Sequence, residues 1–114
     1  MQIGSIIRRA AIQFKDAPCL THGTRTLSFR EFDAATDRLG NALIAKGLKP
    51  GDRVAVLLPN SIDCMIAFYA VFKAGLVPVL VDPGIGLRPL KACLDEAAPT
   101  AFIGVGRAQA ARHL

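Results

Sequence analysis

The chain has 114 residues, of which 52% are hydrophobic and 20% are charged, and its formal net charge is +5. This composition suits one compact domain, or a piece of a larger one. It is not the composition of an intrinsically disordered chain. The basic residues are scattered, only Arg8 and Arg9 are adjacent, and no aromatic residues interleave with them, so we expect no nucleic-acid binding.

The sequence has no pattern typical of a secretion signal or a membrane span. Ile6-Ile7 is followed at once by Arg8-Arg9, so no uninterrupted apolar segment precedes a cleavage site. The longest apolar stretch, residues 64–81, contains Lys73 and is broken at Gly75 and Pro78. It predicts a helix, a turn and a strand rather than a transmembrane segment.

The cysteines indicate neither a disulfide framework nor a zinc site. Cys19, Cys64 and Cys93 stand far apart, form no C-x-x-C pair and are odd in number. We therefore expect reduced thiols and a cytoplasmic protein.

The N-terminal part predicts a helix followed by a hairpin. Apolar residues recur at helical spacing over residues 5–15, with basic residues on or near the other face. We expect the apolar stripe to pack on its own domain, and attachment to a membrane surface is the alternative. Residues 18–22 and 25–28 then predict two short strands around the turn His22-Gly23-Thr24.

A second helix has clear boundaries. Ser28 and Glu31 form an S-x-x-E capping box, in which each side chain satisfies a backbone N–H of the first turn. Gly47 ends the helix, because glycine accepts the left-handed conformation there. The apolar residues Phe29, Phe32, Leu39 and Leu43 share one face, and we place Asp33, Asp37 and Asn41 largely opposite them.

From residue 53 the pattern changes to alternating strands and helices. Strands are predicted at 53–58, 77–81 and 101–105, with helices running to about residue 74 and over 87–97. The first of these helices has no charge between Asp63 and Lys73, so we expect it to be buried on more than one side. Residues 106–114 predict the start of another helix.

These elements predict an α/β fold. Continuous apolar strands separated by helices indicate a three-stranded parallel βαβαβ layer with helices on both faces. An N-terminal helix, a short hairpin and a capped helix precede this layer, which occupies residues 53–114. The three strands should be neighbours in one sheet.

No reactive constellation emerges from the sequence, and we expect no catalytic, cofactor-binding or metal-binding residue. There is no G-x-S-x-G or P-loop motif, and His22 and His113 are far apart. Gly84-Ile85-Gly86 has Pro89 where a dinucleotide fingerprint needs its third glycine, so it predicts a sharp turn. Asp82 lacks the neighbouring carboxylates of a phospho-accepting site, and we expect it to cap backbone amides.

Three segments in register resemble the adenylate-forming enzymes, a family that includes acyl-CoA synthetases, luciferases and the adenylation domains of peptide synthetases. They are residues 26–32 (TLSFREF), 47–55 (GLKPGDRVA) and 73–75 (KAG). Residues 77–85, 90–97 and 101–104 are similar, more narrowly, to the branch of olefin β-lactone synthetases and long-chain fatty-acid–CoA ligases. The resemblance identifies residues 1–114 as a partial AMP-binding domain, an incomplete N-terminal subdomain of such an enzyme.

The resemblance implies a two-step reaction with Mg-ATP and an acyl substrate, and with CoA in the CoA-ligase branch. A carboxylate attacks the α-phosphate to give an acyl adenylate, and then a CoA thiol displaces AMP or the substrate's own β-hydroxyl closes a β-lactone. The family's phosphate loop and C-terminal lid lie beyond this sequence, so we expect no activity and no tight cofactor binding from it alone. In this family Lys73 belongs to a structural Lys-Ala-Gly motif, and we interpret it as a helix-end cation.

A second hypothesis makes the chain a non-catalytic interaction module. A parallel sheet that ends early leaves backbone donors and acceptors unpaired at its edge. Such a module would self-associate or dock on a complementary chain.

Overall fold

The computed structural model describes residues 3–104. The helices and strands follow one another along the chain as α1 Ile3–Phe14, β1 Pro18–His22, β2 Arg25–Ser28, α2 Phe29–Ala45, β3 Arg53–Leu57, α3 Ile62–Lys73, β4 Val77–Leu80, a short 3-10 turn Pro83–Ile85, α4 Leu87–Ala97 and β5 Ala101–Gly104. The predicted elements are all present within this range, with ends that differ by one or two residues. Val105, predicted to end the last strand, and the helix predicted from Gly106 lie outside the described residues.

The three apolar strands form one parallel sheet in the order β4-β3-β5. The central strand β3 is buried after its first residue: Arg53 is exposed, whereas Val54, Ala55, Val56 and Leu57 are all 0% exposed. From β3 the chain crosses to β4 on one side and then returns past β3 to β5 on the other. With right-handed connections, this reversal places α3 and α4 on opposite faces of the sheet. The predicted parallel layer with helices on both faces is therefore confirmed.

The α3 face of the sheet carries the larger core. Val54 and Val56 point to this face, where α2 and α3 contribute the other apolar side chains of a cluster that comprises Leu43, Val54, Val56, Ala67, Val71 and Leu76. α2 and α3 approach closely at Gly40, where an added Cβ would lie 3.2 Å from the carbonyl oxygen of Ala70. Glycine at this position thus lets the two helix backbones meet.

The opposite face is covered by α4 alone among the described helices. Ala55 and Leu57 pack there with Val81 and Leu90. Leu90 is the one buried residue of α4.

α1 lies outside the sheet layer and packs on α2 and α3. Its residues Ile7 and Ala11 are buried, whereas Ile6 and Phe14 are about half exposed, so the predicted apolar stripe packs on its own domain only in part. Together with α2, it wraps α3, whose uncharged sequence predicted burial on more than one side.

The hairpin and the start of α2 follow their local sequence signals. β1 and β2 pair antiparallel as a separate two-stranded sheet. At the start of α2, Glu31 N donates to Ser28 Oγ at 3.0 Å and Ser28 N donates to Glu31 Oε1 at 2.9 Å. Both halves of the predicted capping box are present, and the hydrogen bond from the Ser28 backbone lowers the pKa of Glu31.

Within residues 3–104, no helix combines the length and the apolar character that crossing a bilayer requires.

Candidate functional site

The carboxyl edge of the sheet is where ligands bind in open α/β folds, at the point where the strand order reverses. Here that point lies between β3 and β5, because β4 and β5 flank β3 on opposite sides. Two described loops leave this edge, residues 58–61 after β3 and residues 81–86 after β4. Both loops use their polar groups to shape the backbone, as their hydrogen bonds indicate.

The loop after β3 caps α3. Ser61 Oγ accepts a hydrogen bond from Cys64 N at 3.2 Å and donates one to the Pro59 carbonyl at 2.9 Å. Beside it is an open pocket of about 230 Å³, with a wall that includes the polar residues Thr21, His22 and Asn60. Asp63 lies in the first turn of α3 and pairs with Arg25 at 2.9 Å, so a carboxylate already occupies this helix start and the nearby cation is already paired. The arrangement does not favour an anionic ligand.

The loop after β4 is a turn that Asp82 holds closed. Asp82 Oδ1 accepts a hydrogen bond from Gly84 N at 2.8 Å, which confirms the capping role expected of this residue. Gly86 has φ of 94°, a conformation that glycine adopts without strain. A phosphate would have to displace the Asp82 carboxylate from the very amide that should bind it. The residues of this loop therefore do not fit the phosphates of ATP.

The densest group of charges lies elsewhere, between α1, α2 and α3. Lys73 Nζ donates to Asp33 Oδ1 at 2.6 Å, to Asp37 Oδ1 at 2.8 Å and to the Asp33 carbonyl at 3.2 Å. Arg8 Nε lies 2.7 Å from Asp33 Oδ2, and the Arg8 guanidinium also binds Asp37. We call Arg8, Asp33, Asp37 and Lys73 the interhelical ion cluster. Its two cations and two anions balance.

The placement of Asp33 away from the apolar face was wrong. Asp33 is 8% exposed and points into the contact between α2 and α3. Lys73 does lie in the last turn of α3, as expected, but its side chain is only 8% exposed and joins two helices. A helical wheel of α2 could not show this, because the cation that draws Asp33 inward belongs to another helix 40 residues later.

The ion cluster shifts the pKa of Asp37 and of Arg8. Burial raises the pKa of Asp37, but its hydrogen bond to Lys73 and the charges of Lys73 and Arg8 outweigh this and lower the pKa overall. The charges of Asp33 and Asp37 raise the pKa of Arg8. Every charge is matched by an opposite one, so the cluster links helices and leaves no unpaired group for acid–base chemistry.

The histidines and cysteines are the other reactive residues of the chain. His22 is exposed on β1, and His113 lies outside the described residues. Cys19, Cys64 and Cys93 are free thiols, and burial raises the pKa of Cys19 and of Cys64. Among residues 3–104, no three His, Cys, Asp or Glu side chains come together as ligands for a metal ion.

Comparison with known proteins identifies the chain's relatives. The family model described as "AMP-binding enzyme" matches residues 7–114. The olefin beta-lactone synthetase of Xanthomonas campestris pv. campestris is 51% identical over 89 residues, which are 78% of this chain and 16% of that protein. Its counterpart from Stenotrophomonas maltophilia is 47% identical over 87 residues, again 16% of its length. The chain thus spans about 16% of the length of these curated relatives.

Solved structures agree on the fold. The N-terminal domain of FACL13 from Mycobacterium tuberculosis superimposes with a TM-score of 0.88 at 23% identity, covering 98% of this chain and 29% of that one. The N-terminal subdomain of Klebsiella oxytoca NpsA gives 0.84 at 25% identity, covering 90% of this chain and 27% of that one. The fold resembles the N-terminal subdomains of adenylate-forming enzymes. With a family match over nearly its whole length, the chain belongs to the AMP-binding enzyme family.

Proposed function

We propose that the chain is the N-terminal portion of an ATP-dependent acyl-activating enzyme of the olefin β-lactone synthetase or fatty-acid–CoA ligase type. The observation that carries the proposal is the identity of 51% to the Xanthomonas olefin beta-lactone synthetase. A likeness at that level over most of the chain supports more than a shared fold.

In the proposed reaction, the carboxylate of a fatty acid or β-hydroxy acid attacks the α-phosphate of ATP. The P–O bond to pyrophosphate breaks, and an acyl adenylate forms. A CoA thiol or the substrate's own β-hydroxyl then attacks the activated carbonyl and releases AMP. Positioning and electrostatic stabilisation dominate such phosphate chemistry, and Mg²⁺ would supply part of the charge.

The role proposed for residues 3–104 is structural support for that site. Their loops at the carboxyl edge hold carboxylates, Asp63 at the start of α3 and Asp82 on Gly84 N, where phosphate contacts would be needed. ATP should therefore bind to other parts of the full-length enzyme. We infer that the 114 residues by themselves form no acyl adenylate.

The test is pyrophosphate exchange with fatty and β-hydroxy acids, measured on two proteins. The chain alone should give none. A chimera that joins the chain to the remainder of the Xanthomonas relative should exchange pyrophosphate in the presence of its acid. The remainder without this chain is the control. Exchange by the chain alone, or an inactive but folded chimera, would contradict the proposal.

We place this enzyme in the cytoplasm, where ATP is supplied and the three free thiols stay reduced.

The non-catalytic interaction module remains the second candidate, and the position of β5 as an outer strand of the described sheet favours it. A chimera without activity, combined with a chain that forms a defined complex with another subunit, would select this alternative.

A further inference from the structure

A pocket of about 260 Å³ lies between α1 and the rest of the domain. One of its walls belongs to α1 and is formed by Ile3, Ile6, Ile7 and Ala10. These residues recur at helical spacing, so they share the face that α1 turns towards its neighbours. Ile7 is 9% exposed, whereas Ile6 is 46% exposed. The pocket can therefore be reached from solvent on the side of Ile6.

The other walls come from β1, the first turn of α2 and α3. The residues that form them are Cys19, Leu20, Phe29, Phe32, Met65 and Tyr69. None of the described residues that line the pocket is charged, and burial raises the pKa of the Cys19 thiol, so the thiol stays neutral. A charged molecule would lose its hydration in this pocket without gaining a partner of opposite charge. The walls therefore favour a neutral, apolar ligand.

Aromatic rings and sulfur atoms are concentrated in the same walls. Phe32 and Tyr69 meet edge to face, with their ring centroids 5.7 Å apart. Phe29 adds a third ring, and Met65 and Cys19 add two sulfur atoms. Aromatic rings attract one another in edge-to-face and offset arrangements, and sulfur makes favourable contacts at ring edges. An aromatic ligand would thus gain contacts that a saturated molecule of the same size lacks.

The volume of the pocket limits the ligand to one ring with small substituents. An apolar cavity of about 150 Å³ inside a protein stays dry and takes up benzene. A pocket of about 260 Å³ has room for such a ring and a few further carbon atoms. Sites for drug-sized ligands are larger and begin at about 300 Å³.

We propose that this pocket binds a neutral aromatic molecule of the size of an alkylbenzene. The ligand contacts α1, β1, α2 and α3 together and fills the gap beside the half-exposed Ile6. Because the site exists only when these four elements are assembled, binding should also raise the melting temperature of the chain. The inference goes beyond the proposed function, since every residue of the walls belongs to this chain and ATP takes no part.

Toluene is the probe, and two side chains of the pocket report on its binding to the 114-residue chain. Alkylation of Cys19 by N-ethylmaleimide should slow about threefold at a toluene concentration of about twice its Kd, because occupied sites are protected. Cys93 is exposed on α4 and should keep its alkylation rate, which makes it the internal control. The ring current of bound toluene should also shift the NMR signal of the Met65 methyl group.

Two analogues of toluene test the chemistry of the site. Benzoate has the same ring but is charged at neutral pH, and it should bind at least about tenfold more weakly. Methylcyclohexane has a similar size but no π-system, and it should bind about threefold more weakly. If either analogue bound as tightly as toluene, the pocket would not select neutral aromatic molecules and the inference would be wrong.

A pair of matched variants locates the binding site. Ala10→Leu fills the pocket from the α1 side and should abolish both the protection of Cys19 and the shift of Met65. Ala42→Leu makes the same change at an exposed position of α2 that does not line the pocket, and it should bind toluene as the parent does. Circular dichroism checks that both variants fold.

A folded Ala10→Leu variant that binds toluene like the parent would overturn the inference. So would a parent chain in which excess toluene leaves the Cys19 rate and the Met65 signal unchanged, a result that depends on no variant.

Discussion

The two faces of the same sheet are covered very differently. On one face α3 packs directly on β3, and α2 and α1 wrap around it. On the other face α4 is the single described helix. Both faces are built from alternate residues of one strand, so the difference comes from the N-terminal 52 residues, which add helices to one side only.

Burial follows the same division. In α3, four residues are buried, Ile62, Ala67, Ala70 and Val71, whereas in α4 Leu90 alone is buried. Leu87, at the start of α4, is 54% exposed. The α3 face should therefore hold more of the free energy of unfolding, and α4 should be the more easily perturbed element.

The largest expected effect is on the free energy of unfolding, and it differs between the cores on the two faces of the sheet. Leu43 and Leu90 are similarly buried, at 6% and 4% exposure. Leu43→Ala should lower the free energy of unfolding by about 4 kcal/mol and Leu90→Ala by about 2 kcal/mol, because a site enclosed by several elements relaxes less around a cavity. Urea denaturation of both variants measures the difference.

Leu87→Ala is the control for the α4 face and should change stability by less than about 0.5 kcal/mol. Equal losses of stability at Leu43 and Leu90, or a larger loss at Leu90, would contradict the predicted difference between the two faces of the sheet.

The interhelical ion cluster gives the next effect. Lys73→Met leaves Asp33, whose side chain is 11% exposed, and Asp37 with Arg8 as their one remaining cation. Removing one partner of a buried ion pair should cost about 3 kcal/mol of unfolding free energy. Adding Asp33→Asn to this variant should restore part of the loss, since it removes the uncompensated charge.

Lys91→Met is the matched control. Lys91 pairs with Asp95 on α4 at 2.8 Å, but the two side chains are 49% and 67% exposed. Its loss should change stability by at most about 0.5 kcal/mol. A Lys73 variant as stable as the Lys91 variant would mean that the cluster contributes nothing to the α3 face.

The smallest expected effect is a dependence on acid pH. Asp37 has an ordinary pKa of 3.8, and the cluster lowers it in the folded protein. Its contribution to stability is therefore complete above the ordinary value and is lost as the pH falls through the lowered one. Unfolding free energy should rise with pH in this range, and Asp37→Asn should flatten the rise.

Glu31 acts in the same direction, because its pKa is also lowered in the fold. Comparing Asp37→Asn with Glu31→Gln by denaturation between pH 2 and 6 separates the cluster from the helix cap, and about 1 M salt should weaken both effects by screening. If the unfolding free energy of Asp37→Asn had the same pH dependence as that of the parent protein, the cluster would not contribute to the loss of stability in acid.

Much of the fold could be predicted from short segments. The hairpin around Gly23 and the start of α2 at Ser28 both depend on residues within a few positions of one another. The Asp82 turn is of the same kind. Such signals are read correctly because the groups that satisfy the backbone are local.

The ion cluster could not be predicted in this way. Asp33 and Asp37 lie four residues apart on α2, and Lys73 ends an otherwise uncharged run, but nothing in the sequence pairs them. Arg8 comes from yet another helix. The pairing required knowing that α1, α2 and α3 meet at one point.

The sequence by itself determined the elements and their order, because capping boxes, turns and apolar runs depend on neighbouring residues. Its resemblance to known motifs indicated the family. Only the tertiary structure decided which face received three helices, where Asp33 points, why Gly40 must be small and in which order the strands lie in the sheet. These depend on contacts between residues far apart in the chain, and on backbone directions that exist only once the strands have paired.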